Sequence, residues 1–343
     1  MFPIIPANSV TAPSGNDEGI FGYGQGSKVS MTNLVSDAGV VATDVTGVGT
    51  ARSHIAACEY GGDKGIFGYG SGVTAVTNLV SNAGVVSSDV TGVGTAREGL
   101  AACEYGGDKG IFGYGYIPGS VSMTNLVSNA GVVASDVTGV GTARYGVGAC
   151  EYGGDKGIFG YGTNGGITAV TNLISNAGVV SSDVVGVGTA REGVGACGYG
   201  YDKGIFGFGH DGSGTDETNL VSNTGVVASD VTGVGTARYW IAACEYGGDK
   251  GIFGFGYDHG GVSMTNLVSN AGVVATDTAG VGTARYYLAA CGYGGDKGIF
   301  GFGAPTGSTV TAVTNLVSNA GVVSSDVAGV GTARGYLAAC SFN

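Results

Sequence analysis

The sequence predicts an all-β fold: a seven-bladed β-propeller with four antiparallel strands per blade and a closing blade shared by both termini. Three observations carry this. One motif recurs seven times, marked by cysteines at positions 58, 103, 150, 197, 244, 291 and 340, a repeat of about 47 residues of the kind that stacks into closed arrays. Each copy holds four short runs of β-forming residues parted by turn chemistry, with no 3.6-residue period. Glycine supplies 72 residues without a Gly-X-Y period, which excludes collagen and reads as tight turns and close backbone approaches.

The elements follow in order in the copy around Cys103. The first run, residues 100–105, carries small side chains suited to the crowded axis and is expected to line the channel. Gly106-Gly107-Asp108-Lys109 then turns the chain, because these residues tolerate turn dihedrals. In the second run, residues 110–114, strand alternation puts Phe112 and Tyr114 on one face and Ile111 and Gly113 on the other. A variable loop near Pro118-Gly119 leads to the third run, residues 122–128, and Asn129-Ala130-Gly131 leads to the fourth, residues 131–137. The first copy opens on a second run, 19–23, and the last ends on a first run, 335–340. One blade is therefore expected to be completed from both ends, which removes open sheet edges. Residues 1–16 read as an N-terminal arm and 17–343 as the propeller.

Composition excludes several classes of function. A formal charge of −12 with no basic cluster repels a phosphate backbone, so nucleic acid is not an expected partner. No run reaches the 18 or so uninterrupted apolar residues of a membrane helix, so membrane insertion is not expected. Met1-Phe2-Pro3-Ile4-Ile5-Pro6 lacks a basic stretch and is broken by proline, so no signal peptide is expected. Seven evenly spaced cysteines read as free thiols packed in equivalent places, since a metal site needs converging ligands.

An Arg, a small-residue strand, a Gly-Gly turn and an Ile-aromatic strand ending in Gly resemble kelch repeats over residues 17–343. The chain differs from that pattern in ending its second strand Gly-Tyr-Gly or Gly-Phe-Gly and in lacking a Trp in the fourth. The resemblance implies the propeller architecture, with the Leu-Ala-Ala-Cys strand innermost. Copper oxidases of this architecture hold their metal with converging His and Tyr. Here the only histidines are His54, His210 and His259, the first expected on a blade far around the ring from the other two, and no Ser, Asp or Glu outside the repeat has an evident base beside it. The expectation is a non-enzymatic protein with no catalytic residue, cofactor or metal.

Each copy holds one Arg and one Asp of a Ser/Thr-Asp pair. Arg97, Arg144 and Arg238 with Asp136 and Asp230 exemplify expected structural ion pairs or Arg-to-carbonyl contacts tying the fourth strand to the next blade. The Gly-Asp-Lys turns read as hairpins with a solvated charge. The copies differ in two places, the loop between the second and third strands and the two residues after each Arg, and topology puts both on one face. Tyr239, Trp240, Tyr286 and Tyr287, with Tyr257 and His259 from nearby loops, form the expected ligand-binding cluster, because exposed aromatic residues on a rigid platform suit recognition and stack on apolar sugar faces.

The wording of the repeat, TAR-x-x-LAACEYGGDKGIFGYG and then TNLVSNAGVVASDVTGVG, also resembles repeats in virion proteins of tailed bacteriophages. That resemblance implies a virion appendage or decoration protein assembled in the host cytoplasm. Its arm, through Phe2, Ile4 and Ile5, would dock on other virion proteins, and its variable face would meet a host-surface glycan or protein. The alternative is a free-standing cellular lectin or protein-interaction scaffold.

Overall fold

The computed structural model describes residues 17–342. The arm residues Phe2, Ile4 and Ile5 lie outside the described residues. The described chain is all β, in seven antiparallel three-stranded sheets and one small hairpin. It contains no helix long and apolar enough to cross a membrane. In a typical blade the inner strand Ala101–Tyr105 pairs with the middle strand Lys109–Gly113, which pairs with the third strand Thr124–Val127. The inner strands neighbour one another in a closed ring. The closing blade joins Ala338–Phe342 to Glu18–Gly24 and Val29–Val35, with Ile20 opposite Cys340. The seven-bladed propeller read from the sequence is the observed fold.

The strand count within a blade needs correction from four to three. The fourth segment touches the third strand only at isolated bridges, Val127 with Val133 and Thr124 with Val137. Its amides at Ala134 and Val137 bond Leu126 O and Thr124 O, so three residues on one side span two on the other and the ladder breaks as at a bulge. The Asn125 amide fills the break, donating to Ala134 O at 3.1 Å and to Asp136 Oδ1 at 3.0 Å.

Blades interlock through two complementary close approaches. A Cβ at Gly110 would lie 2.6 Å from Cys58 Sγ of the preceding blade, and one at Gly113 would lie 2.5 Å from the Phe159 ring of the following blade. Only glycine admits these contacts. Phe112 packs back against Gly68, whereas Tyr114 meets Phe159 edge-on with ring centroids 5.2 Å apart. Phe112 and Tyr114 thus face opposite neighbours, contrary to strict alternation, because Tyr114 adopts φ of 64°, a left-handed conformation that turns the side chain over.

Every repeat arginine is fully buried. Arg97 donates from Nε to Tyr114 O, from Nη1 to Thr95 O and from Nη2 to Asn125 Oδ1 at 2.6–2.9 Å. Its guanidinium lies 4.2 Å from the ring centroid of Tyr69 in the preceding blade, a cation–π contact in a desolvated setting. Burial pushes the Arg238 guanidinium down to about 10, so it stays charged at neutral pH. Asp136 stands 3.9 Å from Arg97, beyond hydrogen-bond reach. It instead accepts from the amide and hydroxyl of Thr95 at 2.9 and 2.6 Å. Arg144 faces Asp183, Arg238 faces Asp277 and Asp230 faces Arg191 in the same way, at 3.6–4.0 Å. Each such Arg and Asp belong to one blade, so the expected tie from fourth strand to next blade is corrected. The arginine itself reaches the neighbouring blade by stacking on that blade's aromatic ring.

Candidate functional site

The variable loops and the residues after each Arg meet on one face. Tyr239 bridges Tyr257, Tyr286 bridges Ala304, and Glu192 bridges His210, so the start of each inner strand is zipped to the loop leaving its own middle strand. At the opposite face the Gly-Asp-Lys and Asn-Ala-Gly turns are joined, as where Asn129 Nδ2 donates to Asp108 Oδ2 at 3.0 Å.

The second residue after each Arg forms a ring round the mouth of the channel. Its members in order are His54, Gly99, Gly146, Gly193, Trp240, Tyr287 and Tyr336, and all but the ring's side chains are alike: every one has φ between 52° and 63°. Backbone hydrogen bonds run from blade to blade along the ring, from Gly99 N to His54 O at 3.1 Å, Gly146 N to Gly99 O at 3.2 Å and Trp240 N to Gly193 O at 3.2 Å. His54 N to Tyr336 O at 3.0 Å carries the ring across the closing blade. The left-handed region costs a non-glycine residue about 1–2 kcal/mol. Four bulky residues bear that cost here, and such residues concentrate where a function or tight packing holds them.

Their rings overlap in series. Centroids are 4.4 Å apart for Trp240 and Tyr287, 3.7 Å for Tyr287 and Tyr336, and 4.2 Å for Tyr336 and His54, with interplanar angles of 27–36°. Tyr287 donates its hydroxyl to Tyr336, and burial with that bond holds the Tyr287 phenol far above its ordinary range. Outside this stack Tyr239 and Tyr257 meet each other and Tyr286 meets Tyr257 edge-on, and all three pack against Trp240 at 4.6–5.8 Å, Tyr239 edge-on, Tyr257 tilted and Tyr286 stacked at 27°. Tyr286 is buried, and Trp240 is 37% exposed. His259 stands apart: its side chain is 98% exposed, with the Asp258 carboxylate 3.7 Å from its Nε2. The structure brings five of the six expected ligand-binding residues together and leaves His259 out. His54, His210 and Tyr336 join the group unforeseen. Tyr336 and His54 occupy the same repeat position as Trp240, and ring closure makes them neighbours.

Ser53 is a further feature that the sequence reading missed. It is fully buried, and its hydroxyl lies 3.1 Å from His54 Nδ1 and 3.0 Å from Ser71 Oγ. Burial pushes the His54 imidazole down, toward its neutral form, against the pull of Glu98. Ser53 fixes the ring's orientation and has no open side from which a substrate could be reached.

The channel, a cavity of about 420 Å³, is walled by the inner strands. Alternation turns Ala and Glu inward, while every cysteine points into the next blade. The thiols are free and buried, and burial raises them, as at Cys103 and Cys340, far from the reactive thiolate. Glu59, Glu104, Glu151 and Glu245 line the channel where the other blades have Gly198, Gly292 and Ser341. Glu104 and Glu151 hydrogen-bond to each other, which requires a proton between them. Burial raises both, and the Glu151 and Glu59 charges add to the rise at Glu104. Burial pushes Glu245 up to about 7.

No family model matches the chain, and no curated protein matches it. Its fold is similar to those of many solved structures, among them the following two. One is the structure of YjhT, with a TM-score of 0.60 and 10% identity over 82% of this chain and 97% of that one. The other is a fungal alcohol oxidase of the AA5 family in complex with copper, with a TM-score of 0.62 and 13% identity over 84% of this chain and 68% of that one. The expectation of a non-enzymatic protein is corrected by this second likeness, because the same architecture serves as an enzyme there. Among the described residues no three His, Cys, Asp or Glu cluster as they would to hold a metal ion. What the comparisons establish is the propeller.

Proposed function

We propose that this propeller is a recognition protein whose variable face binds a host-surface glycan, and that it serves as an appendage or decoration protein of a bacteriophage virion. The observation that carries the reading is the gathering of Trp240, Tyr287, Tyr336 and His54 round one mouth of the channel, with Tyr239, Tyr257 and Tyr286 beside them. Aromatic residues held on a rigid frame lose little conformational entropy on binding and present apolar faces with polar rims, the chemistry that suits sugars. The likeness of the repeat's wording to tailed-phage repeats supports the virion setting. Residues 1–16, with Phe2, Ile4 and Ile5, would anchor the disc to other virion proteins and leave the opposite face free.

The test is binding of the purified full chain to host cells and to an array of surface glycans, alongside Tyr239→Ala/Trp240→Ala. Saturable binding that falls at least about tenfold in the double variant is expected, since aromatic anchors dominate such contacts. No binding by the intact chain, or equal binding by both proteins, would falsify the reading. Incorporation into particles by the full chain, lost on removing residues 1–16, would sustain the virion setting.

A further inference from the structure

The aromatic stack at the channel mouth is incomplete. It fills four consecutive places of the seven-membered ring, from His54 through Tyr336 and Tyr287 to Trp240, and the remaining three are Gly193, Gly146 and Gly99. Inside the stack each ring face is covered by its neighbour. The stack ends at Trp240, which leans over Gly193, its Cδ1 3.1 Å from where a Cβ there would be. Beyond it the mouth is open: a Cβ at Gly146 would meet nothing closer than Glu192 Oε2 at 3.7 Å, and one at Gly99 nothing closer than Tyr145 Cβ at 3.9 Å.

A cavity of about 230 Å³ occupies this place. Gly146, Val147, Gly193, Val194, Trp240 and Ile241 line it on the side of the gap, and Tyr287, Leu288, Tyr336 and Leu337 close it on the side of the stack. Glu192, whose Oε2 lies 3.7 Å from where a Cβ at Gly146 would be, offers a carboxylate acceptor at the gap. The chain's formal charge of −12 opposes an anionic occupant. An apolar lining, an indole that is 37% exposed and a carboxylate acceptor at the rim together ask for a flat, uncharged ring with an apolar face and hydroxyl donors at its edge.

We infer that the glycine gap is the seat of a single neutral hexopyranose ring, which continues the stack on Trp240 over Gly146 and donates hydroxyls to Glu192. This deepens the recognition reading above and rests on it. The outer tyrosines Tyr239, Tyr257 and Tyr286 then support the indole, and the sugar unit is read at the axis.

Trp240 is the only tryptophan, so its emission reports directly on the seat. Glucose, galactose, mannose and their methyl glycosides are titrated into the full chain, into Gly146→Tyr and into Glu192→Ala. Gly146→Tyr fills the gap with a ring the backbone accepts, because four of the seven equivalent positions already carry side chains at nearly the same φ. Glu192→Ala leaves the ring's backbone untouched. A saturable shift with at least one hexose is expected in the parent, about tenfold weaker or lost in Gly146→Tyr and about threefold weaker in Glu192→Ala. No saturable shift with any hexose overturns the seat, and so does a shift that both variants keep unchanged. Glycan-array binding by the parent and Gly146→Tyr alike, without a Trp240 response, overturns the seat and leaves the recognition face standing. A hexose response that Gly146→Tyr abolishes, without array or cell binding, supports the seat and overturns the host-surface reading.

Discussion

Two rings of seven positions lie only two residues apart in the chain and have opposite characters. The first is arginine in every blade, from Arg52 to Arg334, and each guanidinium is buried among carbonyls, an Asn and a neighbour's ring. The second, from His54 to Tyr336, shares one backbone conformation and is otherwise free to be His, Gly, Trp or Tyr. The difference lies in what holds each ring together. Side-chain atoms make the arginine ring, so no other residue can replace them. Main-chain hydrogen bonds make the mouth ring, so its side chains are available for another purpose.

The largest effect is expected from Arg238→Ala. It leaves Phe255 O, Thr236 O and Asn266 Oδ1 without their donor and uncovers the Phe208 ring. A loss of about 3 kcal/mol in denaturant unfolding is expected, in the range for removing one partner of a buried charged network. A loss below about 1 kcal/mol would put the arginine ring on the same footing as the mouth.

The channel wall is an intermediate case, since its glutamates give way to Gly198, Gly292 and Ser341 without loss of the fold. A carboxyl raised in the folded state contributes stability that is full below its unfolded value, ordinarily 4.5, and is lost as pH climbs through the folded value. Glu104, Glu151 and Glu245 all act this way. The lowered Asp136 acts oppositely: its contribution is present above its ordinary 3.8 and fades as pH falls. Stability should therefore peak in mild acid and decline toward pH 8, as Glu245 passes about 7. Glu104→Gln should flatten that decline and gain about 1 kcal/mol at pH 8. Thermal unfolding across pH checks it, and an unchanged slope would remove the buried pair from the account.

The smallest effect sharpens the comparison on the opposite face. Tyr201 replaces the second Gly of a Gly-Gly turn, takes φ of 68° and is 81% exposed. Tyr201→Gly should stabilise the fold by roughly 0.5 kcal/mol, the relief of left-handed strain outweighing the extra freedom of the unfolded chain. A loss instead would mean that the exposed ring has a packing role.

The propeller was legible because seven copies repeat one spacing, and spacing survives any uncertainty about single residues. The arginine position was legible for the same reason, and contacts to carbonyls were among its expected partners. Which carbonyl was not legible, nor was Asn125: the bonds to Tyr114 O and Asn125 Oδ1 carry no charge signal, unlike Asp136 at 3.9 Å. The turned-over face of Tyr114 was hidden because a left-handed residue interrupts strand alternation without leaving a mark in the pattern. His54 and Tyr336 were missed at the site because they stand almost a whole chain apart, and only the closing sheet makes them neighbours. The inward glutamates sit inside the repeat consensus, where constancy reads as scaffold. Their mutual approach across the axis is a property of the closed ring.

The sheet that joins Ala338–Phe342 to Glu18–Gly24 has a consequence for the order of the copies. Phe342 stands opposite Glu18 as Tyr105 stands opposite Lys109, so a short glycine-containing connection between them would recreate the hairpin of the other blades. The chain could then be opened at a loop elsewhere, such as that near Pro118, and trace the same disc. The blades thus form a cyclic word with no first letter. Moving the cut point would leave the sequence of neighbours round the mouth intact, whereas exchanging two blades would rewrite it.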